Sequence, residues 1–174
     1  MIRILGIDPG SRITGFGIIE MHTNRSVCIA HGCIKAQQPT LAERLKHIHL
    51  ELAALIEQHL PEEMAIESVF VHRNVDSALK LGQARGAAIT TVALQSIAVH
   101  EYSPAEIKKS VVGRGNAAKQ QVQHMVKAIL GLNKSPQADA ADALAVALCH
   151  GHSRDLKIQL PAIRTSRRRR WKSL

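Results

Sequence analysis

Asp139 and Asp142 are the only formal charges between Lys134 and Arg154, in a 174-residue chain whose net charge is +9. They stand three residues apart in an alanine-rich run, Ala138-Asp139-Ala140-Ala141-Asp142-Ala143-Leu144-Ala145. On a helix that spacing places both on one face, and small neighbours leave them open to a ligand. Like charges so close repel, and a divalent cation between them is the simplest reason to keep them. Two further acids stand out by context. Asp8 closes an apolar run at the turn Pro9-Gly10, and Glu67 interrupts the apolar run Met64-Ala65-Ile66. If those runs are neighbouring parallel strands, both carboxylates emerge at one sheet edge, where open sheets carry their chemistry. The start of the last helix would bring Asp139 and Asp142 to the same place, its dipole partly offsetting their repulsion.

Four carboxylates are hard oxygen donors that favour Mg²⁺ or Mn²⁺ over zinc. The ten histidines form no HExxH and no Cys/His cluster, so His72, His100, His124 and His150 read as solvated or core residues. Two such cations about 3.5–4 Å apart can activate a water and stabilise a leaving 3′ oxygen in phosphodiester hydrolysis. Taken singly, each acid has a plainer reading: Asp8 as a turn former, Glu67 as a charge at a strand end, Asp139 as a first-turn capping residue. Asp142 is harder to explain that way, because a second acid on the same face gains little from capping.

Basic residues gather where a polyanion would need them. Lys108 and Lys109 end a short helical stretch, Arg114 lies in Gly113-Arg114-Gly115-Asn116, and Lys119 follows within a turn. Glycines beside a basic residue let backbone N–H groups approach phosphate. Phe70 follows Glu67 by three residues and leads into Val71-His72-Arg73-Asn74, in a chain with two phenylalanines, one tyrosine and one tryptophan. In a loop it could stack on a base or wedge between bases; the alternative is a core aromatic, and composition alone does not choose.

The elements that must position these residues follow from periodicity. Arg3 to Ile7 reads as a strand buried on both faces. Gly15 to Glu20 and Ser26 to Gly32 read as two more, joined by a short turn that favours antiparallel pairing. Apolar positions recur at helical spacing from Leu41 to Leu60, with Thr40 as N-cap, Glu43 completing a capping box and Pro61 ending the helix. Met64 to Val69 is a fourth strand, Asp76 to Ala93 a second helix and Gln95 to Glu101 a fifth strand. Helices then begin near Pro104, Ala117 and Gln137. The order predicts an α/β fold: a five-stranded mixed sheet with helices on both sides.

Length allows one domain with a real core. No run approaches the roughly 18 apolar residues of a membrane span, and the start lacks a signal peptide's apolar segment, so a cytoplasmic protein is expected. Cys28, Cys33 and Cys149 read as buried thiols, and the odd separation of the first two would put them on opposite faces of a strand. Charge divides the chain into a body, 1–153, with 15 Lys/Arg against 13 Asp/Glu, and a basic tail, 154–174, with 8 against 1. The tail is expected to be flexible, and its Arg167, Arg168, Arg169 and Arg170 to add sequence-blind affinity for nucleic acid by counterion release.

Six blocks carry a specific resemblance. Gly6-Ile7-Asp8-Pro9-Gly10, Ala65-Ile66-Glu67, Leu79 to Gly86, Tyr102-Ser103-Pro104, Lys108 to Gly113 and Pro136 to Leu144 occur in the order and spacing of the bacterial RuvC crossover-junction endodeoxyribonucleases. The resemblance covers about residues 1–153 and leaves out the arginine-rich end. It implies an RNase H-like fold and a homodimer that cuts four-way Holliday junctions by paired symmetric nicks, leaving 5′-phosphate and 3′-hydroxyl ends. It also implies work with the RuvA–RuvB branch-migration complex in recombinational repair. Asp8, Glu67, Asp139 and Asp142 match the family's catalytic, metal-binding acids, Lys108 and Lys119 its phosphate-contacting lysines, and Phe70 its junction-stacking aromatic. Arg73, Lys109 and Arg114 complete the expected DNA-contacting set, and Mg²⁺, with Mn²⁺ as substitute, is the implied cofactor, two ions per site. Two other classes fit less well. An actin-like ATPase also opens with a strand and Asp-x-Gly but needs a second large lobe. A non-catalytic nucleic-acid-binding module gives no reason for four acids beside a polyanion.

Overall fold

The protein is described by a computed structural model covering residues 1–23, 25–68 and 75–159, with 155–159 as backbone only. Five strands, β1 (Ile2–Asp8), β2 (Ile13–His22), β3 (Arg25–Lys35), β4 (Glu63–Glu67) and β5 (Ala98–Tyr102), form one mixed sheet in the order β3-β2-β1-β4-β5. β1, β2 and β3 pair antiparallel, whereas β4 pairs parallel with both β1 and β5. Helices α1 (Leu41–His59) and α2 (Val75–Ala93) make the crossovers before and after β4. Their apolar stripes, among them Ile48, Leu52, Ala88 and Val92, cover Leu5, Ile7, Ile18, Met64 and Ile66 on one face. Helices α3 (Pro104–Val112), α4 (Lys119–Ile129) and α5 (Ala138–Gln159) cover Ile4, Ile19, Met21 and Ala65 on the other. The expected five-stranded mixed sheet with helices on both sides is therefore present.

Local signals place the helices. Thr40 and Glu43 make the capping box of α1, which ends at Leu60 in the left-handed conformation just before Pro61. Ser103 and Glu106 make a second box on α3, with Pro104 at its start and Gly113 closing it at φ 82°. Among the described residues, no helix is long and apolar enough to cross a membrane.

Three details differ from the sequence reading. β5 starts at Ala98, not Gln95, because α2 runs to Ala93 and the chain then turns through Ser96 at φ 59°. Cys28 and Cys33 lie on the same face of β3. Ile18 pairs with Ala30 and Ile19 with Cys28, so Ile29 is an extra, bulged residue that resets the alternation. Both thiols are half-buried and only Cys149 is buried. Finally, α5 continues six residues past the compositional break at 153, to Gln159.

The seating of α5 decides the geometry of everything above it. A side chain at Gly6 would meet the Ala143 carbonyl oxygen at 2.0 Å, and one at Gly15 the Asp139 carbonyl oxygen at 2.0 Å. The helix backbone thus lies almost directly on β1 and β2. Ala140, Ala141, Ala143, Ala145 and Ala147 are all buried. The alanines that seemed to leave room for a ligand are instead what lets the helix approach the glycine-bearing strands.

Candidate active site

β1 and β4 run parallel, with Ile7 opposite Ile66, so the next residues, Asp8 and Glu67, end neighbouring strands side by side. Strand alternation turns both toward α5, because Ile7 and Ile66 face the other core. Asp139 lies in the first turn of α5 and Asp142 one turn on. The four acids that sequence singled out over 135 positions are thereby gathered at one sheet edge.

Burial and mutual repulsion dominate their electrostatics, with Lys108 and Lys119 offsetting them in part. Burial, then the charges of Asp142, Glu67 and Asp139, push the Asp8 carboxyl up to about 7. Burial and the charge of Asp142 likewise raise Glu67, against the opposing pull of Lys108 and Lys119. Lys119 Nζ lies 2.5 Å from Asp142 Oδ2, and this hydrogen bond raises the lysine's pKa. Glu67, Lys108, Lys119 and Asp142 line an open cleft of about 300 Å³, floored by Ile107 and Val122. An all-oxygen donor set with a half-buried carboxyl destabilised by three others fits a hard divalent cation, which would relieve the repulsion that raises Asp8.

The strand end carrying Glu67 is clamped from behind. Arg85 of α2 donates from Nε to the Glu67 carbonyl at 3.3 Å, and its Nη2 pairs with Glu101 Oε2 at 2.6 Å. Ser68 N–H donates to the Tyr102 carbonyl at 2.8 Å. Arg85 sits in the Leu79 to Gly86 block, yet its function as a clamp has no local signature.

Other expected site residues divide. Lys108 and Lys119 reach the cleft, while Lys109 and Arg114 are exposed and do not line it. Phe70, Arg73, Arg167, Arg168, Arg169 and Arg170 lie outside the described residues.

A family model, "Crossover junction endodeoxyribonuclease RuvC", matches residues 4–150. The chain belongs to the RuvC family. A RuvC crossover junction endodeoxyribonuclease of Hahella chejuensis is 51% identical over 172 residues, 99% of this chain and 100% of that one. The RuvC of Marinobacter nauticus is 59% identical over 152 residues, 87% of each chain. Among solved structures, T. thermophilus RuvC in complex with a Holliday junction substrate superposes with a TM-score of 0.84 at 31% identity, covering 90% of this chain and 96% of that one. The sheet and helices described above are thus the RNase H-like fold of RuvC resolvases.

Sequence reasoning missed a second cluster on the same sheet face. Glu63 of β4, His100 of β5 and His150 of α5 are, among the described residues, the one trio of His, Cys, Asp or Glu whose donor atoms all lie within 4.8 Å of one another. His150 is buried, as a core histidine should be, and is bonded at both ring nitrogens. Nδ1 lies 2.7 Å from the Tyr102 hydroxyl and Nε2 2.5 Å from Glu63 Oε2. Arg154 Nε donates to Glu63 Oε1 at 3.2 Å. No spacing motif links residues 63, 100, 102 and 150, so only the fold reveals them.

Proposed function

We propose that this RuvC-family chain is a crossover junction endodeoxyribonuclease that resolves four-way Holliday junctions by metal-dependent phosphodiester hydrolysis. The observation that carries this reading is the convergence of Asp8, Glu67, Asp139 and Asp142 at one sheet edge, where burial and the charges of the other three raise Asp8 to about 7. These four acids hold the metal, Mg²⁺ or Mn²⁺, two ions to a site. When bound, the ions supply an activated water and charge stabilisation at the leaving 3′ oxygen, so that the products carry 5′-phosphate and 3′-hydroxyl ends.

The chain's own residues do the rest. Lys119 holds Asp142 in the absence of metal and, once released, presents its ammonium to the scissile phosphate. Lys108 stands across the cleft and contributes a second positive charge. Arg85 fixes the strand end from which Glu67 projects. Phe70, three residues beyond Glu67, stacks in the opened junction, and Arg73, Lys109 and Arg114 contact flanking phosphates. The arginines 167–170 add affinity without selectivity. Selection of a four-way junction over a duplex comes from two such sites held in a homodimer, because an RNase H-like fold alone does not set the substrate. The enzyme acts on cellular DNA in the cytoplasm, alongside RuvA–RuvB branch migration.

The deciding experiment compares cleavage of a synthetic four-way junction with that of a duplex of the same sequence, each with Mg²⁺ and with EDTA. Paired nicks in the junction alone, and only with Mg²⁺, are expected. Equal cutting of the duplex, or cutting in EDTA, overturns the reading.

A further inference from the structure

We propose that Glu63, His100 and His150 form a second metal site, suited to a borderline divalent ion such as Zn²⁺, which fastens the C-terminal half of α5 to β4 and β5. The site is separate from the acidic one. Glu63 precedes Glu67 by four residues along β4, about 13 Å, and His150 follows Asp142 by eight along α5, about 12 Å. The proposal is independent of the nuclease reading.

Three elements converge on a mixed nitrogen and oxygen donor set, the kind that selects zinc over magnesium. Glu63 Oε2 lies 2.5 Å from His150 Nε2 and 3.9 Å from His100 Nε2. Zinc bonded tetrahedrally to N and O needs its ligand atoms about 3.3 Å apart. One contact must therefore open and the other close, each by less than about 1 Å. The two imidazoles stack with ring centroids 4.2 Å apart and planes 25° apart. Because a ring nitrogen's lone pair lies in the ring plane, the half-exposed His100 ring must turn out of the stack to share an ion with His150. Access is open, because the side chains of His100 and Glu63 are 38% and 21% exposed. Solvent can fill the fourth position.

The surroundings resemble the outer shell of a metal site. Arg154 engages Oε1 of Glu63, so Oε2 is the oxygen that faces the two imidazoles. Tyr102 engages Nδ1 of His150 and fixes the ring. Glu63 as a carboxylate only accepts, so without metal the ring's proton lies on Nε2 and the Tyr102 hydroxyl donates to Nδ1. An ion on Nε2 would leave the ring's single proton on Nδ1, which would donate a hydrogen bond to the Tyr102 oxygen while the hydroxyl proton turns to another acceptor, so the imidazole would stay neutral.

The test uses the full-length chain carrying Asp8→Asn and Asp142→Asn, which silences the acidic site. Equilibrium dialysis should find one Zn²⁺ per chain, Co²⁺ should give the visible bands of a low-coordinate nitrogen-bearing site, and Zn²⁺ should raise Tm where Mg²⁺ does not. In that background, His100→Phe at the half-exposed ring and Glu63→Gln should each weaken Zn²⁺ by more than about 100-fold, and Tyr102→Phe by about 10-fold. Circular dichroism establishes which variants are folded. No stoichiometric Zn²⁺ in the silenced chain overturns the proposal, as does unchanged affinity in a folded His100→Phe or Glu63→Gln variant.

Discussion

Two ends of one seam, where α5 lies on β4, are built from the same helix and the same sheet face and yet differ in kind. At the acidic end Asp8, Glu67, Asp139 and Asp142 repel one another, and Lys119 on Asp142, with Lys108 nearby, offsets this only in part. At the far end Arg154, Glu63, His150 and Tyr102 form an unbroken chain of complementary partners. Burial raises Glu63, but the hydrogen bond from His150 and the charges of Arg154, His150 and His100 outweigh it and hold the carboxyl below its usual range. Burial holds His150 low as well. The acidic end is a source of repulsion, whereas the other contributes to holding the helix down. Unrelieved charge of this kind is what the proposed metal and substrate binding would require, with the satisfied cluster nearby keeping the scaffold in place.

The comparison breaks most sharply at the acids. Asp8→Asn or Asp142→Asn should lower junction cleavage on the order of 100–1,000-fold or more, while gel-shift binding of the junction is largely spared. Cleavage near the wild-type rate in both variants would remove these residues from the chemistry.

The two ends should also respond to pH with opposite signs. Asp8 has its folded pKa raised from 3.8 to about 7. In metal-free protein its contribution is present below about pH 4 and is lost as pH rises through about 7, up to about 4 kcal/mol in all. Glu63 and His150 have lowered folded values, so their contributions are present at high pH. His150's is lost as pH falls below 6.5 and Glu63's as pH falls below 4.5. Urea unfolding in EDTA across pH 4–9 should show Asp8→Asn reducing the decline toward neutral pH, with the raised Glu67 carrying the remainder, and Mg²⁺ reversing it in the wild type. A decline unchanged by that substitution would mean that groups other than Asp8 carry it.

A smaller effect tests the shared helix. Gly15→Ala puts a methyl group 2.0 Å from the Asp139 carbonyl oxygen, so the start of α5 must lift. A loss of about 1–3 kcal/mol is expected from this overpacking. Cleavage should fall by up to about 100-fold as Asp139 is displaced, even where the variant is fully folded at the assay temperature. Wild-type kinetics in a destabilised variant would show that helix seating and acid placement are separable.

Much of this was legible in the chain. Hydrophobic patterning gave the five strands and the first two helices to within a few residues, and the starts of the last three helices, because buried faces impose their period on sequence. The capping box at Thr40 and Glu43 is as local as it looks. Asp8, Glu67, Asp139 and Asp142 stood out because a carboxylate in an apolar or alanine-rich run has few other reasons to be there. What was not legible is long-range. The bulge at Ile29 depends on how β3 pairs with β2, and so the facing of Cys28 and Cys33 could not be read from their separation. Arg85 is an ordinary helical arginine until its nitrogen is seen at the Glu67 carbonyl.

By itself, the sequence determined which residues carry charge against an apolar background, and therefore the acidic half of the seam. The tertiary structure decided the other half, since Glu63, His100, Tyr102 and His150 come from two strands and a helix and meet only after α5 is seated. It also decided what the alanines of that helix are for. Small residues on α5 over Gly6 and Gly15 let two backbones touch, a three-dimensional fit that no periodicity encodes, and that contact sets where Asp139 and Asp142 stand.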